Sequence, residues 1–194
     1  MPEFLALRGS NALSDFRLRK LLSSLQRTAP AVRGLSAEYW HFIKLRSSLA
    51  AESRSVLQKI LTYGPAGRRV GAGGTLLLVV PRIGTISPWA SKATDIAHSC
   101  GLDAVERIER GIAWHARCDG ALTESMRAAL LPLIHDRMTE TVLNAIDDAR
   151  QLFQHHPPRP LATVDLLARG RSALERANRE MGLALSDDEV EYLE

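Results

Sequence analysis

Apolar residues recur along the chain with two alternating periods. Leu18, Leu21, Leu22 and Leu25 fall at helical spacing within residues 12–27, whereas residues 32–45 form a long run rich in β-formers, which predicts an extended strand. Residues 3–8 read as a short strand before them. Residues 50–63 read as a helix carrying Val56, Leu57, Ile60 and Leu61 on one face and stopped by Gly64-Pro65. The same order then returns: strand 75–81, helix 88–100, long strand 105–118, and helix 123–134 with Met126, Leu130, Leu133 and Ile134 inward. An offset of 74 residues lays Arg8 on Arg82, Arg33 on Arg107, Trp40 on Trp114, His41 on His115, Leu57 on Leu131 and Ile60 on Ile134, so the pattern reads as a duplication.

The predicted fold class is α+β, with two strand-helix-strand-helix halves at about residues 1–65 and 74–136. Residues 66–74 between them are glycine-rich and basic, which suits a mobile connector. A small sheet covered by two helices keeps one apolar face open. Two such halves are therefore expected to pack sheet on sheet, or to join edges about a pseudo-twofold axis, as a pseudo-dimer of antiparallel sheets. Helical spacing continues through Met138, Val142, Leu143, Ile146 and Leu152, then breaks at the run His155-His156-Pro157-Pro158-Arg159-Pro160. That run divides a first domain, 1–155, from a second segment, 156–194. The second segment reads as a helix over 163–181 followed by a capping box, Ser186 with Glu189. Val164, Leu166, Leu167, Leu174 and Leu183 are its apolar positions.

The richest local pattern is Gly84-Thr85-Ile86-Ser87-Pro88-Trp89-Ala90-Ser91-Lys92-Ala93-Thr94-Asp95 directly after an apolar strand. Ser87 stands at an N-cap and Pro88 at the first helical position, where its missing N–H costs nothing. Arg82, Thr85, Ser87, Trp89, Ser91, Lys92, Thr94 and Asp95 gather around that positive helix end. They either brace the turn or offer a surface for an anion or a partner's acceptor.

Composition narrows the remaining classes. A net charge of +3 without long basic blocks, together with only 5% aromatic residues, argues against a nucleic-acid partner. No apolar run is long enough to span a bilayer, which argues against a membrane partner, and no basic segment with an apolar core opens the chain. Cys100 and Cys118 fit a reducing, cytoplasmic compartment and read as buried structural thiols. No catalytic, metal or cofactor constellation stands out. His155-His156 lacks a third ligand, Gly71-Ala72-Gly73-Gly74 precedes a strand where a phosphate loop would follow one, and His41 and His115 read as strand residues with satisfied ring nitrogens. Asp147-Asp148 and Asp187-Asp188-Glu189 lack the alternation of a calcium loop.

The run from Gly84 to Leu102 resembles a signature of the large-type phosphoribosylformylglycinamidine synthase, a glutamine-dependent amidotransferase of purine biosynthesis. Further stretches are similar to the same family in the same order: Leu7 to Leu22, Ala37 to Phe42, Tyr63 to Pro65, Arg107 to Gly111, His135 to Val142 and Val164 to Asn178. The resemblance implies a domain like a fused pair of the small PurS subunits, followed by the start of a linker domain that ends prematurely here. It implies an enzyme that moves ammonia from glutamine to formylglycinamide ribonucleotide with ATP and magnesium, whose sites would lie outside this chain, leaving the fragment itself inactive and without cofactor. The expected role is interfacial, with the synthetase and glutaminase domains of the same long chain as partners. The alternative expectation is a regulatory module with a small molecule at the seam between the halves.

Overall fold

The two long extended runs pair with each other and set the sheet. In the computed structural model, which describes residues 3–63, 73–154 and 160–194, β2 (Val32–Leu45) and β4 (Val105–Cys118) run antiparallel from Val32 opposite Cys118 to Leu45 opposite Val105. β1 (Glu3–Asn11) pairs outside β2, β3 (Thr75–Pro81) outside β4, and β5 (Glu140–Leu143) outside β3. The order β1-β2-β4-β3-β5 makes one antiparallel sheet. Of the two expected arrangements, the halves adopt edge joining: their sheets merge and do not stack.

Helices α1 (Asp15–Leu25), α2 (Ala51–Ile60), α3 (Pro88–Ser99) and α4 (Glu124–Ile134) follow the strands in turn. Ser14, Ser87 and Thr123 cap three of them, each hydroxyl accepting from a backbone N–H in the first turn. The packing crosses between halves. Leu18 and Leu25 of α1 share a core with Leu130 and Ile134 of α4 over Val32, Leu77 and Trp114. Leu57 and Leu61, in α2 and at its C-cap, share another with Ala93 and Ala97 of α3 over Ile43, Leu45 and Ile108. Each half therefore leaves its first helix against the second helix of the other, and neither core closes without both halves. At about 1.5–3 kcal/mol per buried leucine, that exchange ties the halves into one folding unit. Neighbouring strand residues face opposite ways, so Phe42, beside Ile43, enters a third cluster with Leu78, Val80 and Ala113. A 3₁₀ helix, Asp147–Phe153, contributes Ala149 and Leu152 to this cluster on the other face of the sheet.

The repeat spacing is 73, not 74. The caps Ser14 and Ser87, the strands Val32–Leu45 and Val105–Cys118, and the buried Leu57 and Leu130 all correspond at 73. Residue numbers directly opposed in β2 and β4 sum to 151 over most of the ladder, as in Tyr39 opposite Ile112. Opposed residues share a face, so a match that preserves faces needs an odd offset. The even offset sends Trp40, in the third cluster, onto Trp114, in the first.

After α4 the chain does not continue as a helix. Asp136 carries a turn, its carboxylate accepting from the Met138 backbone N–H (2.8 Å) and from the Thr139 hydroxyl (3.1 Å). That turn sends Val142 and Leu143 back along β3, where they alternate between the two faces. The expected helix over 163–181 is divided into α5 (Leu166–Arg169) and α6 (Arg171–Met181) by Gly170, whose φ of +59° no helix accommodates. A final helix, α7 (Asp187–Leu193), opens with the capping box of Ser186 and Glu189. Cys100 is exposed and Cys118 half-buried, so neither is the buried thiol expected. The connector 66–72, the stop Gly64-Pro65 and the His155-His156 pair lie outside the described residues. The chain forms two compact units, Met1–His155 and His156–Glu194.

Candidate functional site

The signature turn is built around a buried acid. Beyond Pro81 the chain leaves β3 and passes the start of β4, where Glu109 is fully buried. Glu109 accepts from the Ser87 backbone N–H (3.2 Å) and from the Ser87 hydroxyl (2.7 Å), while the same hydroxyl accepts from Ala90 N–H (3.0 Å). Arg107, two residues away on the same face of β4, donates to Glu109 from Nε (3.0 Å) and reaches the Thr85 carbonyl from Nη2 (2.7 Å). A carboxylate buried without such donors would cost several kcal/mol. The positive end of α3 thus already has its anion, supplied by β4 from within the fold. Of the two readings of this helix end, bracing of the turn and a surface for an anion or a partner's acceptor, Ser87 serves the first through Glu109.

The eight residues singled out from the sequence divide into three sets. Ser87 caps α3, Thr94 accepts from the Ile108 backbone N–H (3.1 Å), and Thr85 donates to the Arg82 carbonyl (2.6 Å), so these three brace the turn. The side chains of Arg82, Ser91, Lys92 and Asp95 are exposed and make no hydrogen bond or ion pair among the described residues. Beside Arg82, a groove of about 440 Å³ is lined by Pro81, Ile86, Pro88 and Met138. Ile86 and Met138 are strongly exposed apolar side chains.

Trp89 belongs to neither set. It turns toward the middle of the sheet, with its ring centroid 5.7 Å from His41 and the Arg110 guanidinium 4.8 Å away. Arg110 also lies over Tyr39, at 4.4 Å, and donates to the Tyr63 hydroxyl at 3.2 Å. Tyr63 in turn meets His41 Nε2 at 2.7 Å. The cluster stands where Tyr39 opposes Ile112, the pair that the 73-residue correspondence maps onto itself, between the two helix cores. Burial, reinforced by the positive charge of Arg110, pulls the His41 pKa from 6.5 down to about 4. Burial also raises the Tyr63 hydroxyl pKa, against the opposing pull of Arg110. The Tyr63 hydroxyl accepts from Arg110 and shares a second hydrogen bond with His41 Nε2, so the three side chains form one connected network. The expectation of satisfied histidine nitrogens holds for His41 Nε2 but not for Nδ1, which is buried without a hydrogen bond. The His115 ring makes no hydrogen bond among the described residues.

Glu109, Arg107 and Arg110 fall in the stretch that carries the family resemblance, Arg107 to Gly111, but the sequence alone assigns them no part in the site. The available signal was alternation: Arg107 and Glu109 are two apart in a strand and must share a face, while Arg110 must take the other. A family model described as Formylglycinamide ribonucleotide amidotransferase N-terminal matches residues 38–153, more than half of the chain and the whole of the site just described.

Proposed function

We propose, on the premise that the chain belongs to the formylglycinamide ribonucleotide amidotransferase family as its N-terminal domain, that it is the assembly domain of that purine-biosynthesis enzyme. In this reading it holds the synthetase and glutaminase parts together while ammonia passes from glutamine to formylglycinamide ribonucleotide. Ammonia released into water is diluted and protonated, so the transfer needs a contact that excludes solvent. ATP and magnesium act elsewhere in the enzyme, and this chain alone is inactive. Among the described residues there is no group of three or more His, Cys, Asp or Glu side chains suited to a metal.

The observation that carries the reading is the division of labour in α3. Ser87 and Thr94 are committed to internal hydrogen bonds, which fix the helix rigidly to β4 through Glu109 and Ile108. Lys92 and Asp95, on the same helix, are exposed and unpartnered among the described residues, and the groove at the start of that helix carries the exposed apolar side chains of Ile86 and Met138. An interface joins an apolar core to a polar rim, and a braced helix and turn that expose both kinds of side chain offer a partner the material for each. The linker role of residues 156–194 is part of the same proposal. The test is Lys92→Ala with Asp95→Ala in the complete amidotransferase: the domain keeps its fold, while amidine formation from glutamine falls. Unchanged glutamine-dependent synthesis would remove the docking role.

A further inference from the structure

Arg110 is a half-buried cation without a counter-ion. Its Cζ lies over the rings of Tyr39 and Trp89, at 4.4 and 4.8 Å from their centroids, and Tyr63 takes one N–H. Its other donors have no partner among the described residues, and no carboxylate there comes within ion-pair range of it. The remaining stretches of the chain, 1–2, 64–72 and 155–159, contain no Asp or Glu at all. Four arginines of the fold have carboxylate partners. Arg8 is paired with Glu38, Arg33 with Asp119, Arg107 with Glu109 and Arg171 with Glu175. Arg150 also lies over a ring, that of Phe4, but it is exposed and clamped by one ring only.

Two rings and one hydrogen bond hold the guanidinium, and the N–H donors left over form a fork that matches two oxygens of a carboxylate or phosphate group. The rings attract the cation through their faces but supply no negative charge to balance it. Tyr39, Tyr63 and Trp89 are each half-buried, so the cluster borders solvent. Its uncompensated charge is felt by both titratable neighbours, His41 and Tyr63.

We propose that the seam formed by Tyr39, Trp89 and Arg110 binds the oxyanion group, carboxylate or phosphate, of a small-molecule ligand. The stacked rings position Arg110, and Arg110 supplies the paired donors. This site is separate from the docking reading, which rests on Lys92 and Asp95, so either can fail alone.

The test uses the full chain and inorganic phosphate and citrate as separate probes at constant ionic strength, with tryptophan emission and calorimetry as readouts. Stacking of Trp89 on Arg110 makes its fluorescence a local reporter. The expected result is a saturable response to one of the two probes. Binding weakens at least tenfold in Arg110→Lys, which keeps the charge but loses the fork, and is unchanged in Arg33→Met. The response to phosphate or to citrate identifies which oxyanion the site takes. Two results overturn the proposal: no saturable response to either probe in the parent chain, or an Arg110→Lys variant, folded by circular dichroism, that binds as tightly as the parent.

Discussion

Replacing Ser87 with alanine removes one oxygen that serves two partners. As an N-cap it satisfies Ala90 N–H, a role worth about 1 kcal/mol. As a donor it supplies a 2.7 Å hydrogen bond to the fully buried carboxylate of Glu109, and hydrogen bonds to charged groups contribute about 1.5–3 kcal/mol. The two losses together come to about 2.5–4 kcal/mol, well above the cap alone. For a domain of this size that lowers Tm by roughly 5–15 °C. Urea unfolding followed by circular dichroism measures the change, with Ser91→Ala as an exposed control on the same helix. A double-mutant cycle isolates the second contribution: in a Glu109→Met background, which removes the acceptor, Ser87→Ala should cost about 1 kcal/mol, leaving a coupling of about 1.5–3 kcal/mol. A loss near 1 kcal/mol in the parent, with no coupling to Glu109, would refute the argument that Glu109 is the anion of this helix end.

Three further outcomes follow from the same geometry. His41 is neutral in the fold with a pKa near 4 against 6.5 when unfolded, so the unfolded chain binds more protons between those values and stability falls as pH drops from 6.5 through 4, by about 3 kcal/mol in all. His41→Gln should flatten that part of the urea stability–pH profile, and an unchanged slope contradicts the assignment. Gly111→Ala would place a methyl 2.8 Å from the Val79 carbonyl and 2.9 Å from Val80 Cγ1, so it should destabilise by about 1–3 kcal/mol in the same unfolding assay. Amide exchange should leave residues 160–194 much less protected than strand 75–81, since Leu161, Leu167 and Tyr192 are almost fully exposed. Equal protection in dilute solution would refute that ranking.

Periodicity made the principal elements legible. The bounds of β2, β3 and β4 follow from runs of β-formers, and α3 and α4 from caps that local sequence states outright. Residues 135–153 were not legible, because Val142, Leu143, Ile146 and Leu152 also satisfy helical spacing and only the turn at Asp136 and pairing with β3 decide otherwise. Sheet merging was open for a similar reason: strand sequence does not say which edge finds which, and the crossed helix packing is a tertiary choice. In the site, the cap at Ser87 was readable, but its second partner was not. Glu109 lies 22 residues away, and nothing local marks it as the acid that β4 delivers to the turn. Arg110 lies three residues from Arg107, an odd step that sets the two on opposite faces of the strand, one in an ion pair and the other over two rings.

The central claim, that this domain assembles the amidotransferase through the exposed side of α3, is tested most directly by comparing two activities of the complete enzyme carrying Lys92→Ala and Asp95→Ala. Glutamine-dependent synthesis needs both parts to be coupled, whereas synthesis from added ammonia needs the synthetase alone. The account predicts that glutamine-dependent formation of formylglycinamidine ribonucleotide falls at least tenfold while the ammonia-dependent rate stays near that of the parent. A pair of variants in which both rates are retained, or in which both fall in proportion, would contradict it.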